Sequence, residues 1–343
     1  MSFPILSDTN LEYDEESWDS NTQTYETWKS KLLKRDNLSR IGKLIDKHRG
    51  GGVPDTLSAP QKGAFNAWTR LTFADGGSAV MRIPIPGKAM FPEEKTEREV
   101  AVVRFLTDET NVPVPFVLHS GTAEESPEGL GPFIIMEFVE HECDLVDGLN
   151  TPDVPYEERP VLNPDLGNVS PDALPRGPFE TTTSYYVALA DMHLEHHKAQ
   201  RVGVVQVPDE FRRKYLHCEM PLSQNGQRSS SSSDKGPFPL FNDDFRPANV
   251  LSTSNFEVTG ALDWEFTYAA PPEFAHSAPV WLLLELPEYW PEGLSDWTRV
   301  YEKTFPVFLD ATSERETAAI KRGTLKEHQR LSHFMKDSWK TGD

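Results

Sequence analysis

The clearest periodicity in the chain is a two-residue alternation between Phe65 and Pro84. Ala67, Thr69, Leu71 and Phe73, then Ala79, Met81 and Ile83, share one face across an Asp75-Gly76-Gly77 turn. Such alternation around a glycine-rich turn predicts a β-hairpin with one face in a core. Over residues 93 to 107 the period lengthens. Glutamates near the start suit a helix dipole, Val102, Val103, Phe105 and Leu106 supply helical apolar spacing, and Pro113 and Pro115 end the element. Two more strands are predicted around Phe116 to His119 and Phe133 to Phe138, separated by a connection rich in Gly, Pro and Glu. Strand, strand, helix, strand, strand makes a small α+β lobe.

Upstream, residues 1 to about 25 are acidic and polar and are expected to form a flexible arm. A helical pattern through Trp28, Leu32, Leu33, Ile41 and Ile45 then opens the folded body. Downstream, prolines with Asp, Asn and Gly over 148–180 predict a long flexible connection. Tyr185, Leu189 and Met192 predict a helix from Thr182 to about Gln200, and residues 223–236 are low-complexity and expected to be flexible. No internal repeat is found. The expected division is an arm at 1–25, an N-terminal lobe at 26–140 and a C-terminal lobe at 141–343.

Composition narrows the function classes. The 343 residues suffice for two domains of roughly 150 each. With 34 Lys and Arg against 54 Asp and Glu, the formal charge of -20 repels nucleic-acid phosphates and anionic membranes, so neither is an expected partner. The acid excess serves solubility or draws in a cationic substrate, and solubility is the plainer reading. Cys143 and Cys218 are too few for a disulfide framework or a paired zinc motif, which points to a reducing compartment, by default the cytoplasm. The N-terminal residues lack the basic and apolar regions of a signal peptide, and the longest apolar stretch, PVWLLLELPEYW, is far shorter than a membrane span.

The chemistry concentrates in two segments, Phe241-Asn242-Asp243-Asp244-Phe245-Arg246-Pro247-Ala248-Asn249-Val250-Leu251 and Val258-Thr259-Gly260-Ala261-Leu262-Asp263-Trp264-Glu265. A carboxylate, an asparagine five residues later and a second aspartate at a strand end provide one proton acceptor and two oxygen ligands for a magnesium nucleotide. Hard magnesium prefers such oxygens.

This order resembles the catalytic and metal loops of the aminoglycoside phosphotransferase and choline kinase-like family, relatives of the protein kinases, whose pattern is H-G-D-x-x-x-x-N followed by I-D-[WFL]-[EG]. The nearest set is the fungal phosphotransferase-family proteins. The resemblance spans roughly residues 60 to 340. It implies an α+β, two-lobed protein kinase-like fold, with a small antiparallel-sheet N-lobe carrying one main helix and a larger, mainly helical C-lobe. It implies ATP and Mg2+ as cofactors and transfer of the γ-phosphoryl group to a hydroxyl of an unidentified small-molecule acceptor. By residue, Asp244 orients or deprotonates the acceptor, and Asn249 and Asp263 hold metal.

Further upstream the resemblance implies a nucleotide-covering turn at Gly63, Ala64, Phe65 and Asn66, a strand cation at Arg82, and an adenine-contacting hinge at Glu137, Phe138 and Val139. Arg82 stands opposite the Met81 and Ile83 face. Glu99, on the helix face of Val102, Val103 and Leu106, is its expected acid partner.

The family His and Gly are replaced here by Asn242 and Asp243. The loop's structural hydrogen bond must then come from elsewhere, and Asn242 is the candidate. Glu265 is read either as a further metal carboxylate or as a solvated loop acid. The ending from Leu331 to Trp339 stops before the last family segment, which implies an acceptor pocket lacking a part. A non-catalytic, pseudokinase-like nucleotide-binding protein is therefore the alternative, and transfer of AMP a further one. His193, Glu195, His196 and His197 match no zinc-protease spacing and read as a polar helix face, and the aromatics from Trp281 to Trp297 read as helical core packing. Acceptor identity and oligomeric state are not encoded in any of these motifs.

Overall fold

The computed structural model describes residues 9–89, 91–145, 172, 174–175, 177–199, 234–284 and 287–341. The expected flexible stretches 148–180 and 223–236 lie largely outside them. The chain forms two compact units, one comprising 1–140, 156–234 and 260–265, the other 141–155, 235–259 and 266–343.

The first unit opens with α1 (Thr9–Leu32) and α2 (Arg35–Arg49). Helix α1 thus extends back into the polar stretch before residue 25, and the single apolar pattern from Trp28 to Ile45 divides into two helices at an extended Lys34. Trp28 donates its indole N–H to the Leu130 carbonyl at 2.6 Å, anchoring α1. A sheet follows: β1 (Pro54–Leu57), β2 (Gln61–Lys62), β3 (Asn66–Phe73), β4 (Ser78–Pro84), β5 (Val117–Gly121) and β6 (Phe133–Glu137), in the order β1-β3-β4-β6-β5 with β2 on β3. The pairings are antiparallel, and Met81 lies opposite both Thr69 and Ile135. Strands β1 and β2 have no counterpart in the alternation, because they are short and mostly exposed.

The hairpin face assignment is correct: Ala67, Thr69, Leu71, Phe73, Ala79, Met81 and Ile83 are all buried. Ile41 and Ile45 of α2 pack onto this face with Phe133 and Ile135. Helix α3 (Pro92–Glu109) forms a second cluster through Val100 and Val103 with Val117 and Ile134. Since successive strand residues point to opposite faces, the alternation that sends Met81 and Ile83 toward α2 sends Arg82, paired with Ile134, toward α3. The hairpin turn is held by Arg49, which donates to both Asp75 carboxylate oxygens (3.0 and 2.8 Å) and lies over the Phe73 ring. Gly76, at φ 87°, supplies the left-handed conformation the turn requires. Helix α4 (Thr182–Ala199) starts at Asp234, whose backbone and side-chain oxygens accept from the Thr182 and Thr183 amides. The side chains of His193, His196 and His197 lie outside the described residues.

The second unit contains β7 (Cys143–Asp144), β8 (Leu240–Asn242), β9 (Val250–Ser252), β10 (Val258–Ala261) and β11 (Thr267–Ala269), then α5 (Pro272–His276), α6 (Leu294–Arg322) and α7 (Leu331–Thr341). β7 pairs with β9 and β8 with β11, both antiparallel. Strand β10 leads out of this unit into the 260–265 segment of the first. Trp297, Tyr301 and Phe305 of α6 pack with Trp339 and Met335 of α7, so the aromatics here are core. Glu316 ties the two helices, accepting from the Ser332 amide and hydroxyl at 3.1 and 2.5 Å. No helix among the described residues is long and apolar enough to cross a membrane.

Two measurements check this architecture. Ile45→Ala, at a fully buried position, lowers unfolding free energy by about 2–5 kcal/mol in denaturant titration. His48 and His119 stack at 3.7 Å. Burial lowers both pKa values below the ordinary 6.5, helped by mutual repulsion at His48 and by Lys47. The folded state therefore binds these protons less readily than the unfolded chain, and stability falls as pH drops from about 6.5 through the folded values. Melting curves of His119→Phe show a shallower fall across that window than wild type.

Candidate functional site

One cluster of candidate residues lies entirely in the first unit. Arg82, on the central strand β4, forms an ion pair with Glu99 of α3, as the face arguments require. The Arg82 side chain is 16% exposed and that of Glu99 only 6%. A second guanidinium nitrogen of Arg82 stands 3.5 Å from Asp263 Oδ1. Burial works against the arginine charge, but Glu99, Glu265 and Asp263 outweigh it, and Arg82 stays protonated beyond its ordinary range. Burial pushes the Glu99 carboxyl up, against the pull of Arg82.

Asp263 reaches this position because its loop is anchored on both sides. The Ala261 amide donates to the Pro113 carbonyl at 2.7 Å. The Trp264 indole donates to the Ala261 carbonyl at 3.0 Å, and its ring packs on the Val100 and Val103 cluster. Between these anchors Asp263 adopts φ 63°, a left-handed conformation that a non-glycine residue holds only when its surroundings dictate it. Glu265 is neither solvated nor beside Asp263 alone: its carboxylate binds Lys95 Nζ and the Asn66 side-chain amide, each at 2.9 Å.

The other nucleotide-side candidates are placed as follows. Gly63 closes a tight turn between β2 and β3, its amide donating to the Asn66 carbonyl at 2.8 Å. Lys95 lies 5.0 Å from the centroid of the Phe65 ring. The Glu137 amide donates to the Phe116 carbonyl and the Phe138 amide to the Ser78 carbonyl, so the sheet uses both. Val139 follows directly, and Arg70 covers the Phe138 ring at 3.6 Å.

A separate cluster lies in the second unit, in the loop after β8. Asn242 Oδ1 accepts from the Asp244 amide at 2.8 Å while its Nδ2 donates to Thr267 Oγ1 at 3.0 Å, so Asn242 supplies the loop-closing bonds expected of it. Asn249 donates to the Asp244 carbonyl at 2.7 Å, which fixes its amide orientation, the side-chain oxygen being an acceptor. Arg246 Nε stands 3.1 Å from Asp244 Oδ1. Burial, with the neighbouring Asp244 charge, raises the Asp243 carboxyl, while the Tyr268 hydroxyl donates to it at 3.3 Å.

Among the described residues no cluster of three or more His, Cys, Asp or Glu side chains is built to hold a metal. Asp263 in the first unit and Asn249 in the second each carry a side-chain oxygen of the hard type, Asp263 beside Arg82 and Asn249 oriented by its bond to Asp244. Magnesium characteristically takes one or two protein oxygens and completes its shell with water and phosphate oxygens, so each residue taken singly is of a type that fits it. Lys95 and Arg246 were not singled out from the sequence. The available signals were the Lys95 position one helical turn before Glu99 and the basic residue two beyond Asp244.

No family model matches the chain, and no curated protein does. Similar solved structures include a macrolide 2'-phosphotransferase type I, with 16% identity, 88% of this chain and 87% of that chain covered, and a TM-score of 0.38. Another is a macrolide 2'-phosphotransferase from Brachybacterium faecium at 16% identity, 86% and 98% coverage and 0.32. A third is a putative fructosamine-3-kinase from Thermobifida fusca at 14% identity, 88% and 99% coverage and 0.36. The overall likeness is low, and each cluster stands on its own geometry.

Arg82→Met leaves Glu99 buried without its cation and costs about 3–5 kcal/mol in chemical denaturation. The double variant Arg82→Met, Glu99→Leu recovers most of that loss.

Proposed function

We propose that the protein is an ATP- and Mg2+-dependent phosphotransferase with a two-lobed kinase-like architecture, transferring the γ-phosphoryl group to a hydroxyl of a small-molecule acceptor. The observation that carries this reading is the buried Arg82–Glu99 pair reaching Asp263, a strand cation locked to a helix acid beside an oxygen ligand. A structural surface pair has no need of near-complete burial, which is costly unless both charges are satisfied.

In the reaction, Arg82 neutralises charge on the nucleotide phosphates through a guanidinium whose orientation Glu99 holds. Asp263 and Asn249 are the metal ligands, and a bound Mg2+ supplies neutralisation of the phosphoryl oxygens. Asp244 accepts or orients the acceptor proton as the new oxygen–phosphorus bond forms and the bond to the ADP oxygen breaks. Arg246 holds the Asp244 carboxylate, and the Asn242 bonds hold its backbone. The replacement of the family His and Gly by Asn242 and Asp243 is compatible with activity, because Asn242 closes the loop and neither residue is the proton acceptor. Gly63, Phe65 and Asn66 are assigned to the turn over the phosphates and Glu137 to Val139 to adenine. In both segments the contacts fall to backbone groups other than the amides of Gly63, Glu137 and Phe138.

The melting temperature of the full chain rises with millimolar Mg-ATP, as expected when ligand binds only the folded state, and the rise disappears in Asp263→Ala. Asp244→Ala keeps that rise and loses about 10²- to 10⁴-fold in turnover in an ADP-release assay with a responsive acceptor. Normal turnover of Asp244→Ala would refute its role.

A further inference from the structure

Glu265 is the most completely enclosed carboxylate near the candidate site, with 1% of its side chain exposed. Lys95 Nζ and Asn66 Nδ2 both bind its Oε2, and Oε1 is buried without a hydrogen bond among the described residues. These contacts join three elements: β3 through Asn66, α3 through Lys95, and the loop that carries Asp263. Lys95 and Glu99 stand four residues apart on α3 and so face the same way. One helix face therefore holds the loop by two routes, Lys95 to Glu265 and Glu99 to Arg82 to Asp263.

We infer that Glu265, clamped by Lys95 and Asn66, is a positioning residue that fixes Asp263 in its left-handed conformation and thereby sets the affinity of the metal-nucleotide site. The inference rests on the reading of Asp263 as a metal ligand. The physical case is that Asp263 has no freedom to relax while Glu265 is held. Trp264 is pinned between the two acids, and a left-handed backbone without glycine persists only under such constraint. Glu265 itself is withheld from the metal, because its cationic and amide partners already use one oxygen and neutralise its charge. It acts at one remove, as outer ligands of metal sites do. The cluster holds two cations, Arg82 and Lys95, and three carboxylates, Glu99, Asp263 and Glu265. Removal of Lys95 leaves three acids around one arginine, loosening the loop by repulsion as well as by loss of a tie.

The test compares wild type, Lys95→Met, Lys95→Arg and Glu265→Gln as full chains. It measures the Mg2+ concentration that gives half of the ATP-dependent rise in melting temperature, the ATP response in EDTA, and amide hydrogen exchange over residues 260–265. Lys95→Met is expected to need about ten- to a hundredfold more Mg2+, with the EDTA response unchanged and exchange faster, and Lys95→Arg to restore both. Should Lys95→Met not fold, Glu265→Gln carries the same titration, since it removes the charge and keeps an acceptor for Asn66. Faster exchange with an unchanged Mg2+ midpoint would make the clamp merely structural and overturn the inference, as would no change in either quantity. No response of wild type to Mg-ATP would instead remove the metal reading. Exchange alone would then decide whether the clamp holds the loop: faster exchange in Lys95→Met would retain that part, and unchanged exchange would overturn it.

Discussion

The ion pair between Arg82 and Glu99 is the constraint on which the first unit depends. Neither charge is tolerated at such burial alone, so α3 must lie where Glu99 meets the guanidinium, and β4 must be central enough to present it. The pair thereby fixes which sheet face receives α3 and leaves the other to α2 with Ile41 and Ile45. The same guanidinium reaches Asp263, so the packing that builds the sheet also locates a carboxylate distant in sequence. The packing of the sheet and the placement of Asp263 share one set of contacts, and the left-handed backbone of Asp263 lies among them.

The loop around Asp244 is closed by its own short side chains. Asparagine lacks an imidazole but has an acceptor and a donor on one short side chain, and both are used, toward the Asp244 amide and the Thr267 hydroxyl. Asp243 is accommodated less easily. It is exposed, yet partial desolvation raises its carboxyl, with a tyrosine hydroxyl as hydrogen-bond donor. Arg246 supplies positive charge beside Asp244, offsetting what an extra neighbouring acid adds. The loop thus holds Asp244 by its backbone and Asn249 by its side-chain amide.

Local pattern was sufficient wherever one principle dominated. Alternation assigned the α2-facing buried positions of the β3–β4 hairpin and put Arg82 on the opposite face, though not the buried Asn66, Ser78, Val80 and Pro84; helical spacing put Glu99 on the inward face. Of the aromatics between Trp281 and Trp297 read as core, Trp297 is buried, Trp290 packs partly buried against it and Tyr289 is exposed. Strands β1 and β2 were not legible, because an exposed strand of two to four residues has no alternation to display. The break at Lys34 lies where the apolar phase changes, since the nine-residue step from Leu32 to Ile41 makes about two and a half turns, and reading one helix through it passed over that change.

The sequence by itself determined the periodicities, the positions of the charged residues and the order of the two acidic motifs, since these depend only on neighbours along the chain. The tertiary structure decided the rest. It assigned Glu265 to Lys95 and Asn66, gave Asn242 its two partners, and committed the amides of Gly63, Glu137 and Phe138 to the sheet and its turns. A buried charge takes the nearest complementary group in space, and a backbone amide takes the acceptor that the fold brings to it. Neither choice is written in the local pattern, because the elements that make it are joined only when the core closes.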